Sequence, residues 1–371
     1  MNKRRNEPLI STYLHTKGRA MGVPIAGNFE LTARCNFNCP MCYVHLSNDE
    51  VQARGGELTA EQWLKIARDA KDRGMIFALL TGGEPLVRKD FFEIYDGMRE
   101  MGLMISINSN GSMLQGKILE RFLEAPPFRF NISLYGGCDE TYRRMCGLPV
   151  YSQVKENIRA LRKAGVDVSL NVSITPYNRD DLARIYADAV ELDVNVKASS
   201  YMYPPIRVNG GAYGCNDRLS PEESAASAVA WDLLRFTPEV FEQRAENMAK
   251  MCNPDPDGCP VEDGEGVRCR AGTTSLWLTW DGRMTPCGMM ITPSVEIQDF
   301  NSAWQYIRTE REKIMLPSEC KNCSLRKICD VCAAVTFAET GRYDGVPTYA
   351  CKKAKAYNRL CREELGIRNE E

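Results

Sequence analysis

The sequence predicts an α/β fold in which a parallel sheet with crossover helices is followed by a small cysteine-rich domain. Three observations point there. Between residues 27 and 205, six short apolar runs alternate with helical stretches, the signature of strand–helix repeats in a parallel sheet. Six repeats fall short of an eight-fold barrel. Beyond residue 263 the rhythm stops and cysteines become dense. With 371 residues and 44% hydrophobic content, the chain can bury one large core and a smaller one.

Taken in order, residues 1–26 are polar and basic with little periodicity, and read as a lead-in. Strand candidates in 27–205 are 28–32, 75–81, 104–108, 128–134, 166–174 and 195–203. Helix candidates between them are 59–72, 89–101, 113–124, 152–164 and 179–192, with Thr59 placed to cap the first. Residues 206–262 form a bridge. Gly210-Gly211 and Pro221 punctuate it, helical stretches follow near 220–235 and 238–251, and Asn253-Pro254-Asp255-Pro256-Asp257-Gly258 is a loop. The second domain is 263–371, and in it Asp281-Gly282 between two apolar runs signals a hairpin.

Composition excludes several classes of function. Net charge is −2, which gives no basic surface for nucleic acid or an anionic membrane. No apolar run approaches the roughly 20 residues of a membrane span. Met1-Asn2-Lys3-Arg4-Arg5 is not followed by an apolar signal core, so a cytoplasmic location is expected. Without a signal, sixteen cysteines that include C-x-x-C pairs point to metal or cluster ligation in a reducing, anaerobic cytoplasm rather than to disulfides.

The chemistry centres on Cys35-Asn36-Phe37-Asn38-Cys39-Pro40-Met41-Cys42. Three thiols at C-x3-C-x2-C, just after the first strand, can hold three irons of a cubane that normally takes four thiolates. The fourth iron stays open to a small molecule, as catalytic metal sites do. A structural zinc knuckle is the competing reading, but no fourth ligand stands at zinc spacing nearby. One strand later comes Thr81-Gly82-Gly83-Glu84-Pro85. Paired glycines allow close backbone approach to a ligand, and ligands of open α/β folds sit at the C-terminal strand ends.

The two motifs together resemble the radical SAM enzymes. The resemblance implies a partial (β/α)6 barrel, with Cys35, Cys39 and Cys42 as cluster ligands and catalytic centre. In that family the open iron chelates S-adenosylmethionine, and reduction splits it to a 5'-deoxyadenosyl radical. It also implies that Gly82, Gly83 and Glu84 meet the cofactor's amino group, and that Ser109, Asn110 and Ser133 meet its ribose. Arg143 is preferred over Arg144 for its carboxylate. Met41 stands where the family has an aromatic residue, so the adenine contact falls to Met41, Tyr43 or both. Cys146, just beyond the fourth strand, is a candidate cavity-facing hydrogen donor, with a buried spectator as the default.

Cys269, Cys287, Cys320, Cys323, Cys329, Cys332 and Cys351 follow in an order that resembles the SPASM domain appended to many such enzymes. By that resemblance, Cys320, Cys323, Cys329 and Cys351 ligate an outer auxiliary [4Fe–4S] cluster. Cys269, Cys287 and Cys332 ligate an inner one, completed by Cys259 or by Cys252, with Cys259 preferred. The expected cofactors are three [4Fe–4S] clusters and S-adenosylmethionine. The expected function is oxidative modification of a peptide or protein side chain, by thioether or carbon–carbon crosslinking or by dehydrogenation. Small-molecule dehydrogenation or epimerisation is the alternative. The lead-in is far shorter than the leader-binding domain of many peptide-modifying relatives, so a separate leader-recognition protein or direct peptide binding is expected. A flavodoxin- or ferredoxin-type donor would supply electrons. Gly288 follows Cys287 where sulfatase-maturing enzymes carry an aspartate base, which disfavours that activity.

Overall fold

The computed structural model describes residues 9–205, 217–252 and 266–365, apart from Asn322, Lys327 and Asp330. The chain opens with α1 (Leu9–Met21), β1 (Ala26–Glu30), α2 (Asn48–Ala53), α3 (Ala60–Asp72), β2 (Phe77–Thr81), α4 (Phe91–Glu100) and β3 (Met104–Ser109). It continues through α5 (Gly116–Glu124), β4 (Arg129–Ser133), α6 (Asp139–Cys146), α7 (Tyr151–Lys163), β5 (Val168–Ser173), α8 (Leu182–Glu191) and β6 (Asn195–Ser199). Then come α9 (Pro221–Arg235), α10 (Pro238–Cys252), β7 (Ser275–Leu278), β8 (Arg283–Thr285), β9 (Val295–Glu296), α11 (Phe300–Glu312), α12 (Ala333–Thr340) and α13 (Thr348–Glu364).

Strands β1 to β6 lie side by side in sequence order, all parallel. Their two faces differ in chemistry because side chains alternate along a strand. One face carries a row of apolar partners: Phe29 opposite Leu80, Leu80 opposite Ile107, and Ile107 opposite Phe130. These are fully buried in the main core. The other face is polar, with Asn108 opposite Asn131 and Ser133 opposite Asn171. A parallel sheet buried on both faces normally reads as continuous apolar runs, so the polar face marks where a cavity sits.

The helices follow from local signals. Helix α3 starts at a capping box, where Thr59 accepts from the Gln62 N–H and Gln62 returns the bond. Its buried Trp63, Ile66, Ala67 and Ala70 form one stripe. Six helices went unpredicted: α11, α12 and α13 in the cysteine-rich region, and α1, α2 and α6 before it. Helix α1 lies inside the segment read as a lead-in without periodicity. The residues it buries are His15 and Gly18, so it has no apolar stripe to detect. Helices α2 and α6 are six and eight residues long, too short for a period to register.

The sheet does not stop at β1. Strand β7 pairs with β1 in parallel, and β8 and β9 follow antiparallel, so one nine-stranded sheet has the order β6-β5-β4-β3-β2-β1-β7-β8-β9. The predicted hairpin is present, with Gly282 at φ +81° in its turn, yet its strands extend the barrel sheet. Asn28 Nδ2 donates to the Leu276 carbonyl and Trp277 Nε1 to Glu30 Oε2, both at 2.9 Å. Helix α13 returns to pack on α9, with Tyr349 donating to the Leu219 carbonyl and Tyr357 to Asp232, both at 2.7 Å. Among the described residues no helix is long and apolar enough to cross a membrane.

Candidate active site

The loop after β1 carries Cys35, Cys39 and Cys42, all half-buried and all lining one cavity of about 210 Å³ at the C-terminal strand ends. Backbone N–H groups of Phe37 and His45 donate to the Cys35 and Cys42 sulfurs at 3.3 Å each. Such bonds favour the thiolate that a metal requires. Burial works the other way and pushes the Cys35 thiol up to about 12; Cys39 is raised further by the same cause. Unligated, Cys35 and Cys39 are protonated at neutral pH, so metal binding here releases protons.

The second glycine motif meets the cysteine loop rather than open space. The Gly83 N–H donates to the Thr32 carbonyl and the Glu84 N–H to the Arg34 carbonyl, both at 2.9 Å. A Cβ on Gly82 would stand 2.4 Å from the Thr32 oxygen, and one on Gly83 2.3 Å from the Arg34 oxygen. Both glycines also line the cavity. A clamp holds the same loop from beneath. Arg34 pairs with Glu57 at 2.7 Å, and Thr32 Oγ1 donates to Glu57 as well. Buried Arg88 donates to the Leu31 and Leu58 carbonyls at 2.8 and 2.9 Å and pairs with Asp90 at 2.7 Å.

Most predicted cofactor contacts converge. Met41, Tyr43, Gly82, Gly83, Ser109, Asn110 and Ser133 all line the cavity. Two do not. Glu84 is fully buried behind the wall, accepting from Asn110 N–H at 2.7 Å, Leu86 N–H at 3.1 Å and Ser109 Oγ at 3.0 Å. Its carboxylate fixes the turn that carries Ser109 and Asn110. Desolvation raises its pKa to about 7, against the downward pull of those bonds. Arg143 is more than half exposed and pairs with Glu140 on its own helix, one turn away on the solvent side. Arg144 is also exposed and donates to the Tyr177 carbonyl at 3.2 Å. Neither arginine lines the cavity. Nor does Cys146, which is buried in the core and donates to the Tyr142 carbonyl at 3.0 Å.

The sequence reading gave no cofactor role to Phe37, Val44, Thr81, Tyr135, Asn171, Ser173 and Met202, which with Asn108 complete the wall. A signal was present: Ser169, Asn171 and Ser173 alternate with apolar residues along β5. Side chains link across the strands, Asn131 to Asn108 at 3.0 Å and Asn108 to Thr81 at 3.3 Å. Among the described residues the wall carries no carboxylate, lysine, arginine or histidine.

Six of the later cysteines form two groups that meet at one apolar cluster, touched by both Cys329 and Cys332. Cys320, Cys323 and Cys351 lie within electrostatic reach of one another, and Cys329 Sγ contacts the carbonyl of Ala350, beside Cys351. Cys287 and Cys332 flank Tyr203, whose hydroxyl is 3.8 Å from the Cys332 sulfur. Cys269 is exposed. Cys259 lies outside the described residues, as does the side chain of Cys252. Among the described residues no three His, Cys, Asp or Glu side chains gather closely enough to hold a single metal ion.

Fold and site thus define an α/β protein with a three-thiol loop over the open end of a parallel sheet. Residues 29–189 match the Radical SAM superfamily, so the chain carries a radical SAM domain. That domain implies a [4Fe–4S] cluster and S-adenosylmethionine, and the half-buried thiols with N–H donors fit the first. Over 337 residues the chain is 26% identical to the AdoMet-dependent heme synthase of Methanosarcina barkeri, covering 85% of this chain and 93% of the relative. It is 25% identical to the PqqA peptide cyclase of Granulibacter bethesdensis, covering 89% and 87%. The fold matches Streptococcus suis SuiB bound to its precursor peptide SuiA, with TM-score 0.66 at 16% identity, over 95% of this chain and 82% of SuiB. It also matches anSMEcpe with bound AdoMet, with TM-score 0.67 at 16% identity, over 92% and 98%.

Proposed function

We propose that this radical SAM enzyme cleaves S-adenosylmethionine at a cluster held by Cys35, Cys39 and Cys42 and uses the radical to oxidise a peptide or protein side chain. The observation that carries the cleavage step is that the three-thiol loop and the polar strand ends share one cavity. Cys35, Cys39 and Cys42 would hold a cluster that, when reduced, would supply an electron for cleavage of S-adenosylmethionine to the 5'-deoxyadenosyl radical. The chain's own residues do the positioning. Ser109, Asn110, Ser133, Asn171 and Ser173 offer neutral hydrogen-bonding groups to the cofactor's polar ends. Met41 and Tyr43 offer apolar surface to its base. Glu84 acts through the turn it holds, and Gly83 through the contact of its backbone with the cysteine loop.

Two further clusters would draw on the later cysteines: Cys320, Cys323, Cys329 and Cys351 for one, and Cys269, Cys287 and Cys332 with Cys259 or Cys252 for the other. Their two groups support that division. Such clusters would take the substrate's electron after hydrogen abstraction, with a flavodoxin- or ferredoxin-type protein as external donor. A sulfatase-type base after Cys287 is further disfavoured, since a Cβ at Gly288 would meet the Trp277 ring at 2.8 Å.

A peptide substrate is supported by the PqqA cyclase relative and by neighbours solved with peptides bound. A small-molecule substrate is the second reading, supported by the heme synthase relatives, which match most of the chain. The test uses reduced, reconstituted protein with S-adenosylmethionine. It should form 5'-deoxyadenosine, and changing Cys35, Cys39 and Cys42 together to Ala should abolish this and remove about four irons per chain. Cleavage that survives the triple change overturns the proposal. Mass spectrometry on peptides encoded beside the gene, against a small-molecule extract, then separates the two substrate readings.

A further inference from the structure

A second cavity of about 710 Å³ lies between the end of β6 and the helices α9, α10 and α13. It shares no lining residue with the cofactor cavity, while Cys329, assigned above to the outer cluster, is among its lining residues. Its size falls in the range of small-molecule sites, roughly 300–1,000 Å³. We propose that it binds a small organic carboxylate with an apolar body, held at its charged side by Arg235 and Arg244.

The charge argument comes first. Among its described lining residues are the cations Arg235, Arg244 and Lys353 and a single carboxylate, Asp232. Asp232 is already engaged, accepting from the Tyr357 hydroxyl at 2.7 Å and lying 3.9 Å from Arg235. The two guanidinium groups sit over the same ring, 5.2 and 4.5 Å from the Phe236 centroid. Stacking on that ring positions both guanidinium groups. A planar carboxylate matches the guanidinium fork.

Ile174, Ile328 and Val335 give the wall an apolar stretch. In the same wall, Trp231 Nε1 and Ser200 Oγ are buried and have no hydrogen-bond partner. Both atoms are closed off from the cavity, so they make no demand on its occupant. One ligand therefore needs an anionic end and an apolar body. The segment 199–203 divides the two cavities: Ser199, Ser200, Tyr201 and Tyr203 face this one, and Met202 faces the other. This site does not depend on the substrate assignment above.

The test is calorimetric titration of the full-length chain with 4-phenylbutyrate, its neutral amide and 4-phenylbutylamine. The acid should saturate one site and bind about tenfold or more tighter than the amide, with the amine weaker still. Changing Arg235→Gln and Arg244→Gln together, both near the surface, should abolish the acid's advantage while leaving binding of S-adenosylmethionine unchanged. Equal binding of the three probes, no saturation by the acid at millimolar concentration, or an acid preference that survives the double change each overturns the proposal. Failure of cofactor cleavage would leave these outcomes untouched, so the two proposals fail separately.

Discussion

Gly83 is the residue whose role the structure changes most. From sequence, the paired glycines suggest room for a ligand. The structure shows that they also admit the cysteine loop, because any side chain at 83 would collide with the Arg34 carbonyl. Gly83→Ala should therefore cost about 1–3 kcal/mol of stability through overpacking, read as a lower urea midpoint, and an unchanged midpoint would refute this. Glu84 was legible as a motif member, but its partners were not. Ser109 and Asn110 reach it across 25 and 26 residues of sequence. Burial raises its pKa from 4.5 to about 7. The folded state then holds a proton the unfolded state has lost, so this group's contribution is greatest below pH 4.5 and is lost as pH rises to about 7. The full swing is on the order of 3 kcal/mol. Urea midpoints of the wild type and Glu84→Gln from pH 5 to 8 should show a fall in the wild type that the variant lacks.

At the scale of elements, the sequence disclosed whatever had a local signal. The six parallel strands and the long helices up to α10 were legible because apolar periodicity and caps are written within a dozen residues, whereas α11 and α13 lie in the region read only for its cysteines. Helix α1 was not, because its buried side is His15 and Gly18, and His15 bonds Thr274 far along the chain. The loop between α2 and α3 gave no sign of function, yet Glu57 there ties Arg34, beside Cys35, to Arg88, just beyond the glycine motif. Glu57→Ala should lower stability by about 1–3 kcal/mol, since it strips a partner from buried Arg88. It should also loosen the loop, seen as faster hydrogen exchange at residues 32–35. Exchange unchanged there would show that the clamp does not hold the loop.

At the scale of the whole molecule, pairing of β7 with β1 had no sequence signal. A hairpin is announced by its turn; its partner in the sheet is not. The division of labour among thiols is testable. Cys320→Ala with Cys323→Ala should keep 5'-deoxyadenosine formation and lose modified product, because these thiols belong to the region beyond the barrel. A folded double variant that makes product at the normal rate would reduce that region to a structural role, since ligation can itself hold a small domain together. Loss of cleavage as well would mean that the two regions fold as one.

The join between β1 and β7 also sets a timetable. Glu30 and its donor Trp277 are 247 residues apart, so the first strand is made early and its outer neighbour late. At about 5–20 residues per second, the interval on a ribosome is on the order of ten to fifty seconds. Throughout it, the outer rim of β1 presents unpaired N–H and C=O groups, the template on which chains aggregate. A chain halted after residue 262 keeps that rim bare for good. It should collect in inclusion bodies or bind chaperones where the full chain does not, and a soluble, monodisperse fragment would show that something else covers the rim until β7 arrives.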